Sequence, residues 1–96
     1  MALEINWTPL ATKSLAEILI YLECEWSLKI AEGFVKELEY QLEIIRVYPE
    51  IGIQSSKNNL VRRVLITKHN ALYYLVEDEK LMLLNFYDTR TFKYQI

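Results

Sequence analysis

The sequence predicts an α+β fold in the order β-α-α-β-β-β: an N-terminal strand, an antiparallel two-helix hairpin, then a three-stranded antiparallel meander, all in one domain spanning 1–96. Three observations carry this expectation. Two apolar stripes at three- and four-residue steps succeed one another in the first half. Three runs rich in Val, Leu, Ile, Tyr and Phe fill the second half. Within each group the connections are so short that neighbours must run antiparallel.

Leu3-Glu4-Ile5-Asn6-Trp7 alternates apolar and polar residues, the signature of a short half-buried strand. Thr8-Pro9 stops it: Thr is a good N-cap and Pro is preorganised for the first helical position, so a helix begins there. Its stripe is Ala11, Leu15, Ile18, Leu19, Leu22 and Trp26. Ser27 breaks the pattern and caps a second helix with the stripe Ala31, Phe34, Val35, Leu38, Leu42 and Ile45, which Pro49 and Gly52 end. Residues 51–59, with Gly52, Ser55, Ser56, Asn58 and Asn59, read as a loop. The runs 60–67, 71–76 and 81–88 read as strands, separated by Lys68-His69-Asn70 and by Glu77-Asp78-Glu79-Lys80, and the N-terminal strand can add to their sheet.

A chain of 96 residues, 52% hydrophobic and 25% charged, has apolar residues for one core and no room for a second. No stretch continues apolar for the ~20 positions a membrane span needs, and the N-terminus lacks a basic start followed by an apolar run. Cys24 is the single cysteine, which fits a reducing compartment, so a cytoplasmic location is expected. One Cys and one His cannot assemble a metal site, and Gly33 and Gly52 alone cannot make a phosphate loop, so no cofactor is expected. Cys24 is expected as a small core or boundary residue, and Glu77, Asp78 and Glu79 as a solvated turn.

The net charge of −2 hides an asymmetry. Residues 1–50 hold nine Glu against four cations, a balance of −5, whereas residues 51–96 hold seven cations against four acids, a balance of +3. An acidic helical half and a basic strand half would steer a charged partner to one side. Arg62 and Arg63 are neighbours on a strand, so one faces the core side and the other the open face. Tyr73 and Tyr74 divide in the same way, one packing in the core. Lys68, His69 and Asn70 occupy the next turn, and Arg90, Lys93 and Tyr94 follow the last strand. If turn and tail share an end of the sheet, these groups form a patch suited to phosphate or to an acidic protein surface. Taken singly, each has a plainer reading: Arg90 can pair with Asp88, and His69 can be a solvated turn residue.

Several motifs together resemble the RelE/ParE toxin superfamily of type II toxin–antitoxin modules, in its ParE-like, plasmid-stabilisation branch. They are Trp7-Thr8 with Ala11, Tyr48-Pro49-Glu50-Ile51-Gly52, Val61-Arg62-Arg63, Lys68-His69-Asn70, Tyr73-Tyr74 and Phe86-Tyr87-Asp88-Thr89-Arg90. The resemblance spans essentially the whole chain. It implies a toxin held inactive by a cognate antitoxin whose extended and helical segments wrap the hairpin and sheet, with contacts on Leu15, Leu19, Leu22, Trp26, Phe34 and Leu38. It also implies a target met through Arg62, Arg63, Lys68, His69, Arg90, Lys93 and Tyr94. ParE-like relatives are associated with poisoning DNA gyrase, and RelE-like relatives cut messenger RNA on the ribosome. The acidic net charge favours the first, since RNA affinity draws on phosphate neutralisation. The expectation is therefore a non-enzymatic, gyrase-binding toxin with no catalytic residues. A RelE-like endoribonuclease and a decayed toxin that only binds its antitoxin are the alternatives. Leu75, where many relatives carry a basic residue, and Thr91-Phe92-Lys93, in place of Gln-Asn-Pro, depart from the superfamily pattern.

Overall fold

The computed structural model describes residues 2–89. Its elements are β1 (Glu4–Trp7), α1 (Pro9–Glu25), α2 (Leu28–Val47), a 3-10 turn at Pro49–Ile51, β2 (Ile53–Gln54), β3 (Arg62–Thr67), β4 (Asn70–Glu77) and β5 (Lys80–Asp88). The strands form one mixed sheet in the order β1-β5-β4-β3-β2; β1 runs parallel to β5, and every other pair is antiparallel.

Both helix starts follow from their caps. The Thr8 hydroxyl accepts from the Ala11 amide and donates to the Leu83 carbonyl of β5, so one side chain opens α1 and ties it to the sheet. Ser27 accepts from the Ile30 amide to open α2. The Arg46 guanidinium donates to the Leu3 carbonyl while the Leu3 amide donates to the Arg46 carbonyl, which seals the end of α2 to the start of β1.

The two helices bury their stripes unequally. On α2, Ala31, Phe34, Leu38, Leu42 and Ile45 are all buried, whereas on α1 only Ala11 is, with Leu15, Ile18, Leu19 and Leu22 half-buried against the core. Beneath them lie Ile66 of β3, Leu72 and Tyr74 of β4, and Leu81, Leu83 and Phe86 of β5. Burying these side chains, each large one stabilising by about 1.5–3 kcal/mol, is the main force holding helices to sheet.

Three expectations need correcting. Residues 51–59 are not wholly loop, because Ile53 and Gln54 pair with Arg63 and Arg62 and add a fifth, edge strand. Trp26 does not continue the α1 stripe: the helix has ended, and Trp26 stands 68% exposed at its C-cap. Cys24 is exposed, not part of the core or its boundary.

Gly52 is required by close approach rather than by backbone conformation. Its φ is an ordinary −69°, but a Cβ there would lie 2.9 Å from the Arg63 carbonyl oxygen and against the Tyr74 phenol. That phenol accepts from the Gly52 amide at 3.0 Å and donates to the Pro49 carbonyl at 2.7 Å, and Arg62 donates to the carbonyls of Glu50 and Gly52. The turn after α2 is thereby pinned to the strands. Elsewhere, Asp78 and Glu79 join β4 to β5 with φ of 53° and 62°, a two-residue turn of the mirror-image type that matches strand twist.

Candidate functional site

Pairing places Ile53, Arg63, Tyr73 and Asn85 side by side across β2, β3, β4 and β5. Because the neighbouring row contains core residues Tyr74 and Leu83, this row looks out from the face the helices leave open. Between Tyr73 and Tyr74 the register slips by one residue on β5, so Leu84 is extra there. The bulge brings Leu84 and Asn85 to the floor of a groove of about 600 Å³. Tyr73, Tyr87 and Arg63 form its wall, and the segment Gln54–Lys57 forms its rim.

The wall is a tight aromatic and cationic cluster. Tyr73 and Tyr87 stack with ring centroids 4.8 Å apart and planes 18° from parallel. Arg63 donates to the Tyr87 phenol at 3.2 Å, and Tyr87 is 5% exposed, so the guanidinium is held from behind by a side chain with little freedom. Burial pushes the Tyr73 phenol above its ordinary value and its hydrogen bond to Tyr87 pushes further in the same direction, while the Arg63 charge pulls back. Tyr73 therefore keeps its proton at neutral pH. The lining contains Lys57 and Arg63 and no carboxylate among the described residues.

The sequence-predicted target residues fall into separate groups. Arg62, on the covered face, is engaged by the carbonyls of Glu50 and Gly52. Arg63 is in the groove. Lys68 and His69 form the β3–β4 turn at the other end of β3, roughly 15 Å along the strand from Arg63 at about 3.3 Å per residue. Thr89 donates from its amide to the His69 carbonyl and from its hydroxyl to the Lys68 carbonyl, so this turn meets the residue that follows β5. Arg90, Lys93 and Tyr94 lie outside the described residues.

Of the residues expected to contact an antitoxin, Phe34 and Leu38 are core, Leu15, Leu19 and Leu22 are half-buried, and Trp26 is exposed. Around Trp26 the hairpin also exposes Ile20, Tyr21, Leu28 and Ile30. A smaller cleft of about 300 Å³ lies between α1 and the end of β5 and carries the carboxylates of Glu17 and Asp88. Sequence reasoning missed Tyr87, Asn85 and Lys57 as members of the groove. Tyr87 sits in the quoted Phe-Tyr-Asp motif, but only strand register reveals that it stands behind Arg63. Among the described residues no cluster of three or more His, Cys, Asp or Glu could hold a metal ion, and no helix is long and apolar enough to cross a membrane.

Residues 5–90 match the family model of the ParE toxin of the type II toxin–antitoxin system parDE. A solved chain of a chromosomal ParDE toxin–antitoxin system from P. aeruginosa shares the fold with a TM-score of 0.75 at 16% identity, over 91% of this chain and 96% of that one. The solution structure of a conserved hypothetical protein from Helicobacter pylori is also similar, with a TM-score of 0.60 at 17% identity, over 92% and 96% of the two chains. At such identities the likeness speaks to fold alone. No curated protein matches the sequence significantly.

Proposed function

Because the chain belongs to the ParE toxin family of type II toxin–antitoxin systems, we propose that it is a cytoplasmic toxin that binds a macromolecular target such as DNA gyrase and is neutralised by a cognate antitoxin. Membership in this family implies an antitoxin partner. The exposed apolar residues around the hairpin tip, Ile20, Tyr21, Trp26, Leu28 and Ile30, are where that partner gains most by covering the chain. Leu15, Leu19 and Leu22 are half-buried on α1, and Phe34 and Leu38 of α2 belong to the core. In this reading the antitoxin silences a toxin that stabilises the replicon encoding it.

The observation that carries the non-enzymatic reading is the groove's chemistry. Cleavage of RNA by attack of a ribose hydroxyl needs a general base near neutral pH and several cations about the scissile phosphate. The groove offers Arg63 and Lys57 as cations, and its Tyr73 phenol is shifted away from acting as a base. His69 stands in the β3–β4 turn, at the far end of β3 from Arg63. Binding through Arg63, with Lys68, His69, Arg90, Lys93 and Tyr94 as further target contacts, needs no such base.

The test is direct. Purified protein is added to a gyrase supercoiling reaction and, separately, to translating ribosomes. Inhibited supercoiling with intact messages is expected, and addition of the antitoxin restores supercoiling. Site-specific cleavage of translated messages would mark a RelE-like endoribonuclease instead. Antitoxin binding with neither effect would mark a chain retained only for that contact.

A further inference from the structure

We infer that the open-face groove receives a carboxylate side chain carried on an extended acidic segment of a partner protein, with Arg63 as the fork that binds it and Lys57 as the second cation at its rim. The inference deepens the reading above: it takes from it that a protein partner exists, and adds the chemistry by which this groove recognises that partner.

Charge complementarity is the first reason. Among the described residues the charged groups lining the groove are Arg63 and Lys57, in a chain whose net charge is −2. Two cations in an otherwise acidic protein suit one or two carboxylates. They do not suit a nucleic-acid backbone, whose affinity rises with the number of phosphates neutralised.

Preorganisation is the second. A guanidinium has five N–H donors in a planar fork. The bond from Arg63 to Tyr87 fixes the orientation of that fork and leaves further donors for a bidentate carboxylate. Tyr73 and Tyr87 are held against each other by stacking, so ordering them on binding costs little. With its proton retained, Tyr73 adds no negative charge that would repel the ligand. Asn85 and Ser55, also in the lining, can donate to the second oxygen or to the peptide backbone.

The extended form of the ligand follows from the edge. The groove is bordered by β2, the outermost strand of the sheet, with Ile53 63% exposed beside Arg63 in the cross-strand row. A segment lying along that edge would turn alternate side chains onto the open face, and the one opposite Ile53 would reach across it toward the guanidinium in the same row.

An NMR titration on the full chain tests this, using the acetylated peptide Gly-Glu-Gly-Glu-Gly-Glu-Gly, its Gln counterpart and hexathymidylate as probes. The acidic peptide is expected to shift the ring resonances of Tyr73 and Tyr87 and to weaken as salt is raised, and the Gln peptide to leave them unmoved. Arg63→Gln should weaken binding at least tenfold and Lys57→Gln severalfold. Equal binding of both peptides, no shift at millimolar acidic peptide, or tighter binding of hexathymidylate overturns the inference. Should Arg63→Gln fail to fold, the exposed Lys57→Gln variant decides: unchanged affinity there has the same force. Gyrase inhibition is measured on the same preparations. Peptide binding without it keeps the groove and removes the target proposed above, and inhibition without peptide binding does the reverse.

Discussion

Arg62 and Arg63 are neighbours in the chain, and so are Tyr73 and Tyr74, yet the sheet sends the members of each pair to opposite faces. Arg62 and Tyr74 share the covered row. Tyr74 is fully buried, its phenol bonds Pro49 and Gly52, and Arg62 donates to Glu50 and Gly52. Arg63 and Tyr73 share the open row, where the one is steadied by Tyr87 and the other stacks on it. One row fastens the turn after α2; the other lines a groove. Identical residue types thus divide into fastening a turn and lining a groove by strand parity alone, and the two rows should respond differently to substitution.

The largest effect is expected in the covered row. Gly52→Ala forces a Cβ toward the Arg63 carbonyl, which belongs to the backbone and cannot swing aside. A loss of about 2–3 kcal/mol, read as a lower denaturant midpoint with unchanged slope, is predicted. Tyr74→Phe leaves the Gly52 amide and Pro49 carbonyl without their partner and should lose about 2 kcal/mol. If either variant unfolds like the parent chain, the row does not fasten the turn.

Alkali separates the same rows more finely. Burial raises both the Tyr73 and the Tyr74 phenols above their ordinary value near 10. The unfolded chain therefore releases those protons first, and between the unfolded and folded values it binds fewer protons than the folded chain. The stabilisation is complete below about pH 10 and fades as pH climbs from there through the folded values. Denaturant midpoints taken between pH 8 and pH 11 should fall over the upper part of that range, and less steeply in Tyr74→Phe. A flat profile would remove burial as the cause.

A smaller effect, of opposite sign, is expected away from both rows. Glu79 holds a left-handed conformation at φ 62° that glycine adopts without penalty. Glu79→Gly should gain about 1 kcal/mol, and calorimetry should show a melting temperature several degrees higher. A lower melting temperature would mean that the Glu79 side chain contributes more than its backbone loses.

The smallest stability effect belongs to Arg63. Its side-chain bond among the described residues, at 3.2 Å to a phenol on the open face, predicts that Arg63→Gln changes stability by less than about 1 kcal/mol.

What the sequence made legible was what short-range rules govern. The Thr8 and Ser27 caps act over three residues, and the α2 stripe repeats at helical spacing, so both could be read directly. The separation of Arg62 from Arg63 and of Tyr73 from Tyr74 needed only strand alternation. By contrast, β2 is two residues in a polar stretch and becomes a strand only because β3 lies beside it. The groove depends on a four-strand register and on a bulge at Leu84, neither of which leaves a local trace. That Lys68 and His69 sit at the opposite end of β3 from Arg63 likewise follows from direction along the strand, which residue grouping in the sequence obscured.

Growth arrest by Arg63→Gln, expressed without antitoxin and compared at equal soluble level with the parent chain, tests the division of labour between the rows most directly. Stability close to the parent's together with lost growth arrest and lost inhibition of gyrase supercoiling is the predicted result. Full toxicity from a folded Arg63→Gln chain would contradict it.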